Sequence, residues 1–163
     1  MSTLIGKTIV EEVGSSLYSF PHANAYYENN VTETVIISIG AFIKPAGSWL
    51  SSISEEFTVN GTGKMTYNGT IPKHFHIVSN FDMTTSSNSQ VIAFKWFKNG
   101  TTPLPAQVKR KVGTGSDLGA GSVHADAMLN QNDYVELKVA NTTSITNITL
   151  QNVYCFVMGM PMI

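Results

Sequence analysis

Polar and apolar residues alternate along most of this chain with a period of two, not with the 3.6 of a helix. Over residues 74–84, the apolar Phe75, Ile77, Phe81 and Met83 fall on one face, and histidine, Asn and Asp side chains fall on the other. The same alternation recurs over 90–98, around Trp96, and over 133–140. Segments of this kind are typical of antiparallel strands that bury one face and leave the other in water.

Taken along the whole chain, the pattern predicts many short strands. They lie near 8–13, 35–44, 56–59, 63–69, 74–84, 90–98, 104–112, 121–129, 133–140, 145–150 and 153–160. Turn signals separate them, among them Asn60-Gly61, Asn68-Gly69 and Asn99-Gly100, because both residues of such a pair tolerate positive φ. No segment carries a helical stripe, so the sequence predicts an all-β sandwich or barrel.

The length of 163 residues is enough for one domain with a substantial core. Residues 35–163 hold the regular strand pattern and form the predicted sandwich domain. Residues 1–34 are less periodic, and we expect an N-terminal arm or an edge strand with a loop. Two interpretations stay open for this segment: it lies on its own sandwich, or it reaches a neighbouring subunit.

The charge of the chain limits its partners. Charged residues make up 13% and the net charge is −1, so nothing attracts nucleic acid or anionic lipid from a distance. No apolar stretch approaches the roughly 20 residues of a membrane helix, and no signal peptide is recognised, so we expect synthesis in the cytoplasm. Cys155, the one cysteine, stands in an apolar run and is expected to be buried and inert.

From Phe57 onward the chain resembles the complement-type globular heads and the tumour necrosis factor-like jelly rolls. The residues that carry the resemblance are Phe57, 75–77, Lys98-Asn99-Gly100, 129–137 and 156–159. The most specific piece runs from Asp133 to Leu137: Asp133 is expected to bind turn amides, and Val135 and Leu137 to face the core. Lys73 and Asn132 stand where the family pattern has glycine. The resemblance implies an antiparallel jelly-roll β-sandwich of the tumour necrosis factor type.

The resemblance also implies a homotrimer. The candidate contributors to a trimer interface are Tyr134, Phe156, Met158, Met160 and Met162. The Thr- and Asn-rich texture is similar to jelly-roll proteins of bacteriophage virions, in capsid decoration and tail-fibre heads. We therefore expect a non-enzymatic structural protein of a virion surface, made in the host cytoplasm, whose partners are copies of itself and a viral capsid or tail protein.

Two other functions stay open. A carbohydrate- or receptor-binding module requires an exposed aromatic patch, to which Trp49 and Tyr26 are candidate contributors, and it makes a surface glycan a candidate partner. A metal-dependent cupin-like enzyme requires a histidine pair such as His74 and His76, a nearby carboxylate and a later histidine such as His124. No carboxylate stands at the required spacing, since Asp82 is the nearest acid. We therefore predict no catalytic residue, cofactor or metal.

Overall fold

The fold was analysed in a computed structural model that describes residues 20–113 and 117–161. The described residues form eleven strands and no helix, so they contain no helix that could cross a membrane. The strands are β1 (His22–Tyr27), β2 (Ser54–Glu55), β3 (Phe57–Val59), β4 (Met65–Tyr67), β5 (Lys73–Thr85), β6 (Gln90–Lys98), β7 (Thr102–Pro103), β8 (Val108–Val112), β9 (Gly119–Leu129), β10 (Tyr134–Asn141) and β11 (Ile148–Gly159). The prediction of an all-β protein is confirmed.

Two antiparallel sheets face each other across the core. One has five strands in the order β2-β1-β11-β5-β9. The other has six: its order is β3-β4-β10-β6-β7, and β8 also pairs with β6. Neighbours in each sheet are mostly distant in sequence, because strands of a jelly roll cross from one sheet to the other.

The core contains the side chains that period two assigns to the inner faces. Phe75, Ile77 and Trp96 are fully buried, and Val135 and Leu137 are buried as the sequence predicts. The Trp96 indole lies between the sheets, and its Nε1–H points to the carbonyl oxygen of Val123 at 3.4 Å. The inward faces predicted for these strands are therefore the inward faces of the folded protein.

Of the three Asn-Gly pairs named above, Asn99-Gly100 has the predicted positive φ, whereas Asn60-Gly61 and Asn68-Gly69 do not. Asn99 and Gly100 both have positive φ, of 52° and 75°, and they reverse the chain between β6 and β7. Asp133 accepts a hydrogen bond from the backbone N–H of Asn130 at 2.8 Å, as expected for an acid that precedes a strand. Tyr134 N–H in turn donates to the Asn99 side chain at 2.9 Å. The two turns thus hold each other at one end of the six-stranded sheet.

Several strand boundaries differ from the prediction. Residues 35–44 do not form a strand; Ile43 makes only a single bridge, to Val139. The two strands predicted over 145–150 and 153–160 are one strand, β11, with an irregularity in its pairing to β5 between Leu150 and Asn152. The predicted strand over 8–13 lies outside the described residues.

The N-terminal segment contributes a strand to the sandwich. Over its whole length β1 pairs with β11, and on its other side β2 pairs with His22 and Ala23, so β1 lies inside the five-stranded sheet. The sequence pattern does not predict a strand over residues 22–27. Its core-facing residues are Ala23, Ala25 and Tyr27, and the two alanines contribute little hydrophobicity to the alternating pattern. The part of the 1–34 segment that the structure describes thus includes a strand of the jelly roll.

Candidate functional site

The outer face of the five-stranded sheet carries a stripe of apolar and aromatic side chains. On β11, Tyr154, Phe156 and Met158 point outward, since the residues between them are buried. Cross-strand pairing places Tyr26 of β1 opposite Tyr154, and Val78 of β5 opposite Phe156. Tyr154 is 43% exposed and Met158 is 44% exposed, so neighbouring apolar side chains on this face stay accessible, as they do at many interaction sites. We call Tyr26, Val78, Tyr154, Phe156 and Met158 the aromatic stripe.

This face differs in charge from the other side of the sandwich. No outward position of β1, β2, β5, β9 or β11 is Lys or Arg, and the outward acids on this face are Asp82, Asp126 and Glu55, which pairs with His22 at the β2 edge. On the six-stranded sheet, by contrast, Lys44 and Lys138 lie 3.0 and 3.2 Å from the carboxylate of Glu136. Depletion of charge around aromatic groups is the composition of the buried centre of an interface.

The structure brings together some of the predicted trimer-interface residues. Phe156 and Met158 are neighbours in the aromatic stripe. Met160 follows the end of β11, where its backbone N–H donates to the carbonyl of His74 at 2.8 Å. Met162 lies outside the described residues. Tyr134 lies at the start of β10, in the other sheet, where the Lys64 ammonium sits 3.9 Å from the centre of its ring. Tyr134 and the aromatic stripe are therefore on different faces of the monomer.

Beside the stripe lies a cluster of two histidines considered above for a metal site, His76 and His124, with Asp126, which the sequence analysis did not name. His76 of β5 pairs with Asp126 of β9, and its Nδ1 is 2.8 Å from the Asp126 carboxylate. Its Nε2 is 3.2 Å from Nδ1 of His124, also on β9. In the sequence, His76 lies two residues from His74. In the folded sheet, its side chain contacts residues about 50 positions later. Asp82, the nearest acid in sequence, instead accepts hydrogen bonds from Asn152 at 3.1 and 2.8 Å.

A cavity of about 310 Å³ opens at the other end of the stripe. Tyr26 and Tyr154 form part of its wall, and Asn80, Asp82 and Asn152 provide amide and carboxylate groups. Trp49, the other aromatic residue considered for a glycan patch, is buried. It packs edge-on against Tyr27, with ring centres 4.8 Å apart. Tyr26, but not Trp49, is thus placed where a ligand could reach it.

Two further titratable side chains, Cys155 and Tyr67, are buried in the sandwich. Burial raises the pKa of the Cys155 thiol well above its usual range, so the thiol stays protonated and unreactive. Burial also raises the pKa of Tyr67 to about 12, with the Glu56 carboxylate adding to the effect. Among the described residues, no three His, Cys, Asp or Glu side chains are grouped so that they could hold a metal ion.

Comparison with known proteins gives the same fold. No protein-family model matches the chain, and no curated protein sequence matches it. Solved structures do match. The Eiger TNF of S. frugiperda is 14% identical, with 86% of this chain and 94% of that chain covered and a TM-score of 0.54. Murine APRIL at pH 8.0 is 10% identical, with 85% and 98% covered and a TM-score of 0.53. The globular domain of zebrafish complement 1qA is 12% identical, with 88% and 98% covered and a TM-score of 0.49.

The fold is a tumour necrosis factor-like jelly roll. The likeness extends over more than four-fifths of the chain. At identities this low the comparison speaks for the fold alone, because one fold serves many functions. The function of this jelly roll therefore depends on the side chains of its own surface.

Proposed function

We propose that this protein is a non-enzymatic structural protein that assembles with copies of itself through the outer face of the five-stranded sheet, as a homotrimer. The observation that carries the proposal is the aromatic stripe, which stays partly exposed on a face whose outward strand positions include no Lys or Arg. Covering Tyr154, Phe156 and Met158 with a second copy would remove their apolar surface from water, at about 25 cal/mol per Å².

Three copies are proposed because the chain resembles jelly rolls that pack as trimers around an axis. A permanent interface of this kind buries well over ~1,000 Å² and carries no unpaired charge at its centre. The composition of the stripe meets the second requirement. In a ring of three, every subunit uses two different patches, one for each neighbour. Tyr134 fits the same assembly as part of the second patch.

A virion surface is the setting that we propose for the assembly, as capsid decoration or fibre head. The support is the low charge, 13% of residues, and the Thr- and Asn-rich texture shared with phage jelly-roll proteins. In this setting the mechanism is mechanical: apolar faces are buried between copies, and a capsid or tail protein binds the assembled trimer. Co-purification with virions, tested with antibody against the chain, would support this setting, and absence from intact virions would refute it.

The assembly is tested by a charge placed in the stripe. Phe156 points outward and its ring centre lies 6.4 Å from that of His22, so Phe156→Asp should leave the core intact and disrupt association. Sedimentation should give about 53 kDa for the wild type, three times the 17.7 kDa of one chain, and a folded monomer for the variant.

Val31→Asp is the control for adding an acid outside the stripe, because Val31 is 87% exposed in a loop and does not belong to the stripe. It should assemble like the wild type. Far-UV circular dichroism checks that both variants are folded. A wild-type protein that stays monomeric at high concentration would refute the proposal, and so would a Phe156→Asp variant that still forms trimers.

A surface glycan is the second candidate partner, favoured by the cavity between Tyr26, Tyr154 and the polar Asn80, Asp82 and Asn152. Such a mixture of apolar walls and a few fixed polar groups is typical of small-ligand sites. Binding to a glycan array that is lost in Tyr26→Ala would favour this function over a purely structural one.

A further inference from the structure

His76 and His124 are held side by side by the pairing of two strands that are far apart in sequence. In the β5–β9 ladder, His76 lies opposite Asp126, and Val78 lies opposite His124. His124 is therefore the diagonal neighbour of His76 on the same outward face. Both side chains reach solvent, since His76 is half-buried and His124 exposed. The two imidazoles meet through Nε2 of His76 and Nδ1 of His124, which are 3.2 Å apart.

Asp126 determines which nitrogen of His76 carries its proton. The Asp126 carboxylate lies 2.8 Å from Nδ1 of His76 and can only accept, so that nitrogen is the donor. In the neutral imidazole the Nε2 lone pair is then free, and it points toward His124. Without a bound ion, Nδ1–H of His124 donates to this lone pair. If His124 takes its other tautomer, two unprotonated nitrogens lie 3.2 Å apart.

From this arrangement we infer that His76 and His124 form a two-imidazole site for a divalent transition metal such as Zn²⁺ or Cu²⁺. With metal–nitrogen bonds of about 2.0–2.1 Å, a 3.2 Å separation corresponds to an N–M–N angle of about 100°, between octahedral and tetrahedral geometry. Imidazole is the ligand that these metals share. The hydrogen bond from His76 to Asp126 is the carboxylate support that metal-binding histidines usually have, since it orients the ring and fixes its tautomer.

The site is open. It offers two nitrogen ligands, and among the described residues no third His, Cys, Asp or Glu completes the set. Water fills the remaining positions in a single chain, so the ion stays accessible to exchange. The inference does not depend on trimer formation, because a monomer presents the same two rings.

The test is a Zn²⁺ titration by calorimetry of protein purified without a histidine tag. We expect one saturable site per chain in the wild type, lost in His76→Asn and in His124→Asn. Asp126→Asn should bind about tenfold more weakly or worse, the usual effect of removing a supporting carboxylate. Binding should be lost in acid, because imidazolium cannot coordinate a metal.

His74→Asn is the matched control, since His74 points to the same side of β5 but lies one pleat repeat away from His76. It should bind Zn²⁺ like the wild type. Titration with Cu²⁺ followed by electron paramagnetic resonance adds a signature of imidazole nitrogen coupling, which His124→Asn should reduce. Circular dichroism confirms that each variant is folded.

The absence of saturable Zn²⁺ and Cu²⁺ binding in the folded wild type would overturn the inference. Equal binding by the His76→Asn, His124→Asn double variant would overturn it as well, and so would an equal loss in His74→Asn. These outcomes are independent of the sedimentation result for Phe156→Asp.

Discussion

Asp133 stabilises the turn that leads into β10, and its lowered pKa predicts how the stability of the protein changes with pH. Its carboxylate lies 2.7 Å from the Lys98 ammonium, and it accepts hydrogen bonds from Asn99 Nδ2 at 2.7 Å and from the Asn130 backbone at 2.8 Å. Burial alone would raise the pKa of Asp133, but the hydrogen bonds from Asn99, Lys98 and Asn130 lower it from 3.8 to about 2. The side chain is only 15% exposed, so solvent screens these interactions little.

The size of the effect follows from linkage. A carboxyl whose pKa is lower in the folded than in the unfolded protein stabilises the fold at a pH above its unfolded pKa. The fall from 3.8 to about 2 corresponds to roughly 2 kcal/mol. This stability is complete above about pH 5, and it is lost as the pH falls through about 4 to about 2.

Asp133→Asn keeps the shape of the side chain and removes the charge. We expect the free energy of unfolding near pH 7 to fall by roughly 2 kcal/mol, because three charge-assisted contacts are weakened. The difference between wild type and variant should shrink by most of that amount as the pH approaches about 2. Urea unfolding followed by far-UV circular dichroism measures it, at one protein concentration throughout, because assembly would also stabilise the fold.

Asp126→Asn is the control for removing an acid. The Asp126 side chain is 64% exposed, and an exposed pair of this kind contributes at most about 1 kcal/mol. Its unfolding curve should stay close to that of the wild type near neutral pH. A difference between Asp133→Asn and the wild type that is constant from neutral to acid pH would refute the linkage argument, since it would show that the carboxylate titrates alike in both states.

Two further predictions concern the core. Trp96 has no exposed surface, so Trp96→Ala should lower the free energy of unfolding by about 3–5 kcal/mol, and the wild-type emission should be blue-shifted. Ready quenching of both tryptophans by acrylamide in the folded protein would contradict this burial. Cys155 is buried and burial raises its thiol pKa, so a colorimetric thiol reagent should label it only after denaturation. Rapid labelling of the native protein, with its circular dichroism unchanged, would show that β11 opens locally.

The candidate site was predicted from sequence only in part. The spacing of Phe156 and Met158 indicates that both share a strand face, because side chains two apart on a strand point the same way. The sequence cannot say whether that face is inside or outside, since an apolar run such as 153–157 reads as buried on both sides. The resemblance groups Tyr134 and Met160 with these residues, but the structure places Tyr134 on the other sheet.

By itself, the sequence determined the local features: the all-β class, the inward faces of β5, β6 and β10, and the positive φ of the Asn99-Gly100 turn. These depend on side-chain alternation and on backbone preferences within a few residues. The tertiary structure decided everything that depends on which strands become neighbours. It put β1 beside β11, left 35–44 without a ladder partner, and brought His124 and Asp126 to His76. Strand pairing across some 50 residues follows from the packing of the whole sandwich, and no local pattern encodes it.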